Sequence, residues 1–157
     1  MTADQKVPDQ AFSTRVYPAL SALLPITLVA PSFALVVLPF MSDVVAIGIG
    51  LFSALVIFAI VLLSAPVVSL SNGDAPLLRV GRATIERRFV EKAEIFSGEE
   101  LKFEKGPGLN AKAYFVNQAG KKQFVKVTLN DPSDPTPYWL FACNKPEELV
   151  VALRANR

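Results

Sequence analysis

The stretch VYPALSALLPITLVAPSFALVVLPFMS, Val16–Ser42, contains 27 residues without a charged side chain. The stretch VVAIGIGLFSALVIFAIVLLSAPVVSLSNG, Val44–Gly73, contains another 30, and Asp43 alone separates the two. An α-helix needs about 20 mostly apolar residues to cross the hydrocarbon core of a bilayer. Each stretch is long enough, so the sequence predicts two transmembrane helices, about 17–40 and 44–69, joined by a tight turn.

Two other interpretations fit these stretches less well. Two buried helices of a soluble core would need a shell of amphipathic elements around them, and the rest of the chain is too short and too polar to supply it. A cleavable signal peptide has a basic start and a short apolar core. Here Asp4 and Asp9 precede a much longer apolar run. We therefore expect both stretches to remain as membrane spans.

Basic residues lie on one side of the two stretches. Lys6 and Arg15 precede the first, the turn has none, and four arginines follow the second, namely Arg79, Arg82, Arg87 and Arg88. Cytoplasmic loops carry an excess of Lys and Arg. We therefore expect a two-span protein of the plasma (inner) membrane with both termini in the cytoplasm. The four arginines are candidate contacts for anionic lipid head groups, and setting the topology is their simpler interpretation.

The predicted spans carry a small-residue face and two prolines. Ala46, Gly50 and Ala54 recur every four residues, a spacing that allows close approach of two helices in lipid. This face is expected to pack on the first helix of the same chain, through Ala30 and Ala34, and homodimerisation is the alternative. Pro25 and Pro31 each remove a backbone donor and should kink or loosen the first helix.

Composition excludes several function classes. The 157 residues include no histidine and one cysteine, Cys143, so histidine-dependent catalysis, His-ligated metals, an intrachain disulfide and Cys-rich metal sites are excluded. A net charge of +2 is too small for a nucleic-acid binder. Neither span contains an ionisable residue, which argues against transport.

The remaining sequence predicts a small β domain. The organisation expected is a cytoplasmic N-terminal tail (1–16), two transmembrane helices within 17–70, a linker (71–76) and a cytoplasmic domain (77–157). Apolar periodicity predicts strands at 78–80, 84–90, 111–116, 124–129 and 138–143, and a short helix at 97–103. A C-terminal amphipathic helix is predicted at 145–155, with Asn144 as its cap.

This order of strands followed by a helix resembles the pleckstrin-homology-like domains found beside membrane spans in bacterial proteins. The fold class expected is therefore an α+β membrane protein: an N-terminal transmembrane helical hairpin, then a small antiparallel β domain closed by a C-terminal helix. Such a resemblance implies a fold and does not establish a function.

The segment DPSDPTPYWL, residues 131–140, is the most unusual part of the chain. Aspartates before prolines favour turns, and the aromatic pair would begin a buried strand. The alternative is a rigid binding loop that presents two carboxylates beside two aromatic rings to a cation, a metal ion or a peptide. Its candidate residues are Asp131, Asp134, Pro135, Thr136, Pro137, Tyr138 and Trp139.

The same segment, followed by Asn144–Leu149, resembles the signature of an actinobacterial family of uncharacterised two-span membrane proteins, D-P-x-D-P-T-P-Y-W-L before a terminal helix. Gly106-Pro107-Gly108 also matches a family feature. Family members usually have a Ser-Thr-Arg-Arg-Pro-like stretch where this chain has Ala142–Pro146, so an arginine-dependent role there is in doubt. The resemblance implies a class of protein and a compartment, and no activity.

The sequence thus predicts a non-enzymatic, membrane-anchored interaction module without a cofactor, whose partners are membrane lipids and a protein. The alternative is a membrane enzyme or divalent-ion site built on Asp131 and Asp134. A third possibility is a passive subunit that joins a larger envelope complex through the Ala46, Gly50 and Ala54 face.

Overall fold

The computed structural model describes residues 10–73 and 75–155. Within them the chain forms an α+β fold with five α-helices and two mainly antiparallel sheets. It divides into two compact units. We call residues 17–65 the helical segment, and the described residues on either side of it the β domain.

The helical segment begins with a helix that is broken into three parts. Helix α1 spans Leu20–Leu23, a 3₁₀ helix spans Leu24–Leu28, and helix α2 spans Val29–Val37. This differs from the single helix expected over 17–40. Pro25 and Pro31 lie in the first turns of the second and third parts, where a missing N–H costs nothing. The prolines therefore explain the division.

Helix α3 spans Asp43–Leu63 and packs against α2. Asp43 lies in its first turn, where a carboxylate interacts favourably with the helix dipole. The helix ends at Leu63 rather than continuing to residue 69 as expected. Pro66 cannot continue a helix, and the next residues, Val67–Ser71, form strand β2.

The first sheet of the β domain contains strands from both sides of the helical segment. Its order is β1 (Gln10–Arg15), β2 (Val67–Ser71), β3 (Leu77–Val80) and β4 (Ala83–Glu86), and every pair is antiparallel. Residues 10–15 were expected within an N-terminal tail, and 67–70 within or just after the second span. They form strands instead because each supplies the ladder hydrogen bonds of the other, across 51 residues of intervening chain.

The second sheet has the order β5 (Val90–Ser97), β7 (Gln123–Leu129), β8 (Tyr138–Ala142) and β6 (Tyr114–Val116). Its pairs are antiparallel except β6 with β8, which is parallel. Helix α4 (Gly98–Lys105) follows β5, and helix α5 (Pro146–Ala155) follows β8. The elements expected near 78–80, 97–103, 124–129, 138–143 and 145–155 are present with small shifts at their ends.

One hydrophobic core holds the β domain together. Every residue of β8 is buried, as expected for an inner strand that is covered on both faces. Helix α5 turns one apolar face toward the same core through Pro146, Leu149, Val150 and Leu153. The largest fully buried side chains include Phe124 and Phe141 on the two inner strands.

The β domain has two ends, which we name by their contacts. At the connection end the chain passes into and out of the helical segment, and the Val16 N–H donates to the Pro66 carbonyl at 2.9 Å. At the distal end, the Asn130 N–H donates to the Phe89 carbonyl at 2.8 Å, next to the loop 131–137. Helix α5 runs between them, since Asn144 before it contacts Arg15 and Leu153 near its end contacts Arg87.

Candidate functional site

The two aspartates of the loop 131–137 bond to their own loop. Asp131 Oδ1 accepts hydrogen bonds from the Ser133 N–H at 2.8 Å and from the Ser133 hydroxyl at 2.6 Å. Asp134 Oδ1 accepts from the Thr136 N–H at 2.9 Å. The bonds from Ser133 hold the pKa of Asp131 below its ordinary value. These carboxylates therefore form side-chain-to-backbone turns that shape the connection into β8.

The aromatic pair of the same segment faces the core and not solvent. Tyr138 and Trp139 are 8% and 4% exposed. The Tyr138 hydroxyl accepts from the Asn110 N–H at 2.8 Å, and the Trp139 ring packs 5.3 Å from the Tyr114 ring, centre to centre. The segment thus presents Pro135 and Asp134 to solvent, with Thr136 and Pro137 half-buried, and offers no exposed aromatic platform.

The four candidate arginines are divided between the two ends. Arg79 and Arg82 lie at the connection end, where the Gly81 N–H donates to the Val67 carbonyl at 2.8 Å. Arg87 and Arg88 lie at the distal end. Arg87 is only 7% exposed, which differs from the expected head-group contact.

Buried Arg87 has a structural role. Its Nε donates to the Leu153 carbonyl at 2.6 Å and its Nη1 to the Val90 carbonyl at 2.8 Å. These bonds join the end of α5 to the start of β5. The carbonyl groups in the last turn of a helix lack intrahelical donors, so a guanidinium is a suitable partner for them.

The small-residue face lies against the first part of the helical segment. Ala46 and Gly50 are buried, and Ala54 is half-buried. A Cβ atom added at Gly50 would collide with the Ala30 carbonyl and lie 3.1 Å from the Ala34 Cβ. At Gly50 the face therefore contacts Ala30 and Ala34 of the same chain. Glycine is required there because the two helices approach too closely to leave room for a Cβ atom.

Among the described residues, Cys143 is not an activated nucleophile, and no cluster of metal-ligating side chains is found. Cys143 is buried at 2% exposure, and burial raises the pKa of its thiol, which keeps it protonated. No group of three or more Cys, Asp or Glu side chains comes together there in an arrangement that would hold a metal ion.

A basic pocket that the sequence did not indicate lies between α4 and the turn before β7. It has a volume of about 540 Å³ and is lined by Gly98, Leu101, Lys102, Lys105, Gly106, Lys121 and Lys122. Two lysines come from α4, and two come from the turn some 16 residues later. Four lysines from two separate segments line this cavity, and each ammonium group is a hydrogen-bond donor with no acceptor, so this surface is suited to an anion.

A second concave surface lies between the β5 edge and α5. It has a volume of about 530 Å³, and its lining includes Val90 and Ile95 on the strand and Val150 and Leu153 on the helix. Strand β5 is at the edge of its sheet and pairs there with β7 alone. An edge strand beside a helix is a surface to which an extended peptide can add by main-chain hydrogen bonds.

Comparison with known proteins identifies a family whose function is unknown. No curated protein and no solved structure matches the chain. A family model described as "Protein of unknown function (DUF3093)" matches residues 11–153, from β1 into α5. The match includes the helical segment and both sheets. The chain therefore belongs to this family of proteins of unknown function.

Proposed function

We propose that this chain is an integral protein of the plasma membrane, in which the helical segment crosses the bilayer twice and the β domain is a non-enzymatic interaction module on the cytoplasmic face. Helix α3 is the one described helix that is long and apolar enough by itself to span a membrane. Of its most apolar 18 residues, 11% are buried. A core helix of a soluble protein would be mostly buried, so this exposure supports a lipid environment.

The observation that carries the proposal is where the helical segment joins the β domain. The chain leaves after β1 and returns at β2, and these strands are neighbours in one sheet, with Arg15 opposite Val67. Exit and return therefore lie on the same side of any membrane. A segment that starts and ends on one side crosses an even number of times. If α3 makes one crossing, residues 17–40 supply the other.

The dimensions of the two parts fit this arrangement. Helix α3 has 21 residues and a length of about 31 Å at about 1.5 Å per residue. The broken first part, Leu20–Val37, reaches about 30 Å because its 3₁₀ portion rises about 2.0 Å per residue. Both lengths match a hydrocarbon core of about 30 Å.

The surface of the helical segment also fits lipid. Of 24 large apolar side chains exposed in the described residues, 20 lie between Tyr17 and Leu63. The hydroxyls of Ser32, Ser53 and Ser64 donate to backbone carbonyls of their own helices at 2.6–2.8 Å. A hydroxyl without a partner is costly in hydrocarbon, so this pairing supports membrane burial.

The orientation follows from the charges nearest the connection end. Arg15, Arg79 and Arg82 lie there, whereas the turn between α2 and α3 has no basic residue. This excess of arginine supports a cytoplasmic position for the β domain under the positive-inside rule. The resemblance of this domain to pleckstrin-homology-like domains beside bacterial membrane spans is consistent with such a position.

Membrane association is tested by fractionating cells that express the full chain. We expect the protein to stay in the membrane pellet after an alkaline carbonate wash and to dissolve only in detergent. Release by carbonate would show a peripheral protein and would refute the two crossings. A variant lacking residues 17–65, with a short glycine-serine link joining Val16 to Pro66, serves as the control and should be released.

The protein partner we propose adds an extended segment to β5 in the groove beside α5. The supporting observation is the edge position of β5 next to a groove lined by apolar and charged side chains in equal number. The variant Ile95→Glu places a charge in this groove, and the control Val151→Glu makes the same kind of change at an exposed position of α5 outside the groove lining. A copurifying protein lost only from Ile95→Glu supports the groove. Equal loss or retention in both variants would refute it.

A divalent-ion enzyme on Asp131 and Asp134 is the alternative. Its motivation is the pair of carboxylates, which the structure engages in turns within their own loop. Calorimetry with Mg²⁺ and Ca²⁺ distinguishes the two functions. We expect no binding heat for wild type or for the Asp131→Asn/Asp134→Asn variant. Saturable binding by wild type that the variant loses would favour the alternative.

A further inference from the structure

We propose that the pocket of Lys102, Lys105, Lys121 and Lys122 binds the phosphate of an anionic head group at the connection end of the β domain. The inference deepens the proposed function, because a bound lipid would tie the β domain to the membrane that anchors the chain. The same phosphate chemistry also occurs in soluble phosphate esters, and the experiment below separates the two sources.

Neutral side-chain groups hold Lys105 and Lys121, which we call the two inner lysines. Lys105 Nζ donates to Asn117 Oδ1 at 3.1 Å, and Lys121 Nζ donates to Asn144 Oδ1 at 2.6 Å. An amide oxygen orients an ammonium group but does not cancel its charge. Both lysines are half-buried, and these bonds give neither of them a carboxylate partner, so their positive charge is not neutralised at this surface.

The outer pair adds to this charge. Lys102 pairs with Glu99 Oε1 at 2.6 Å, and both side chains are largely exposed, so the pair is weak and easily exchanged. Lys122 is exposed, and the described residues give it no hydrogen bond or ion pair. Four lysines thus line one cavity, and the hydrogen bonds and ion pairs of the described residues give them a single carboxylate partner, the exposed Glu99.

The walls of the pocket are fixed by contacts that leave its charge unchanged. Helix α4 is fastened to the sheet by an ion pair of 2.7 Å between Lys126 and Glu104, whose side chains are 20% and 15% exposed. The Lys105 ammonium also lies 4.5 Å from the centre of the Phe124 ring. A preformed site binds at lower entropic cost, because few side chains need to be ordered.

Lys121 is connected to the end of strand β1 through hydrogen bonds. Asn144, which holds Lys121, donates through its Nδ2 to the Arg15 carbonyl at 2.9 Å. Arg15 ends β1, two residues before the helical segment begins. Two hydrogen bonds therefore connect the lysine to the point where the chain enters that segment. Lys121 therefore belongs to the part of the β domain from which the chain would enter the bilayer, and basic residues near a membrane surface gain from anionic lipid.

The chemistry of the pocket selects phosphate among anions. Ammonium groups bind phosphate oxygens as point charges from several directions, and a phosphate offers acceptors to match. A planar carboxylate has fewer oxygens to share among donors that come from two separate segments. A cavity of about 540 Å³ also has room for the glycerol part of a phosphoglycerol head group.

The test uses the full chain purified in a neutral detergent, with three probes. Phosphatidylglycerol and phosphatidylcholine are titrated in mixed micelles, and bound lipid is counted by native mass spectrometry. Inorganic phosphate is titrated by calorimetry. We expect phosphatidylglycerol to bind in preference to phosphatidylcholine, and the Lys105→Gln/Lys121→Gln variant to bind it about 25-fold more weakly. The matched control, Lys92→Gln/Lys112→Gln, has the same net charge and should retain wild-type affinity.

A second variant separates binding from folding. Asn117→Asp keeps the acceptor for Lys105 but makes it a carboxylate, which lowers the positive potential beside the pocket without removing the lysine. We expect several-fold weaker lipid binding with no loss of thermal stability. The control Asn110→Asp makes the same change at a site whose Oδ1 accepts from the Lys112 N–H, and it should bind normally.

The outcomes decide the proposal. Preference for phosphatidylglycerol that is lost in both pocket variants supports a lipid head group. Saturable inorganic phosphate binding that the pocket variants lose, with lipid binding unchanged, supports a soluble phosphate ester at the same site. No difference between pocket and control variants for any probe refutes the site. Carbonate resistance, measured on the same variants, reports separately on the membrane anchor.

Discussion

Residues 44–63 of helix α3 and strand β8 are both uncharged, mainly apolar runs, yet they have opposite environments. Each residue of Tyr138–Ala142 is buried, whereas Val44, Leu51 and Leu63 of α3 are 63–82% exposed. The difference lies in what surrounds them. Strand β8 is short and has neighbours on two edges and two faces, while α3 has one helical partner and an apolar surface on its other sides. An apolar surface of this size marks a membrane or protein interaction site, and the proposed function assigns it to the membrane.

The largest expected effect comes from shortening one aromatic side chain in each region. Phe141→Ala removes a fully buried ring and should lower the free energy of unfolding of the β domain by about 3–5 kcal/mol. Phe52→Ala, at 67% exposure, should leave it unchanged. Urea unfolding in mild detergent, followed by the fluorescence of buried Trp139, measures both. Equal losses would contradict the comparison.

A charge in the middle of α3 should have the next largest effect. Leu55→Arg places a guanidinium near the bilayer centre, at a cost of about 2.5–3.5 kcal/mol for insertion. The carbonate-resistant fraction should fall clearly. The control Leu77→Arg changes an exposed leucine of β3 and should remain in the membrane. Unchanged resistance of Leu55→Arg would mean that α3 does not contact lipid.

The contact between α2 and α3 is examined with two glycines. Gly50→Ala should destabilise the helix pair by about 1–3 kcal/mol, because its new Cβ would collide with the Ala30 carbonyl. Gly48→Ala has open space around the same atom and should be neutral or slightly stabilising, since alanine favours helix. The melting temperatures of the two variants are measured in detergent from the loss of the helical circular dichroism signal on heating. Identical melting would contradict the observed packing.

The smallest effect is the pH dependence of the loop 131–137. Hydrogen bonds from Ser133 lower the pKa of Asp131, so the folded state favours the carboxylate. Its stabilising contribution is present above the unfolded pKa of about 4 and is lost as the pH falls through the lower folded pKa. Asp131→Asn should therefore be slightly less stable than wild type at pH 7. The two urea midpoints should converge at the lowest pH at which both proteins fold.

The sequence predicted those elements whose pattern is local. The alternation in Gln123–Leu129, the apolar run in Tyr138–Ala142 and the capped amphipathic helix Pro146–Ala155 each contain their own signal. Strands β1 and β2 were missed because their pairing is not local. QAFSTR has no strong strand pattern by itself, and VVSLS continues an apolar run that resembles a span. Only the ladder between them shows that they are strands.

In the candidate site, too, only features formed by residues that are neighbours in the sequence could be predicted. The turns at Asp131 and Asp134 follow from neighbouring residues, so the turn interpretation of that segment was available from the sequence. The basic pocket was not, because it joins α4 to the turn before β7 through folding. The neutral groups that hold its inner lysines, Asn117 and Asn144, have no recognisable spacing from them. The burial of Arg87 likewise has no local sequence signal, so the sequence predicts only a topology-setting residue or a candidate lipid contact there.

The most direct measurement is cysteine labelling of intact cells with a membrane-impermeant maleimide. Cys143 is buried and its raised pKa keeps it a thiol, so the wild-type chain is an unreactive background. Ser42→Cys, in the turn before α3, should be labelled from outside. Lys112→Cys, exposed on the β domain, should be labelled only after the cells are permeabilised. Labelling of both positions from the same side of the membrane would contradict a hairpin that crosses the bilayer twice.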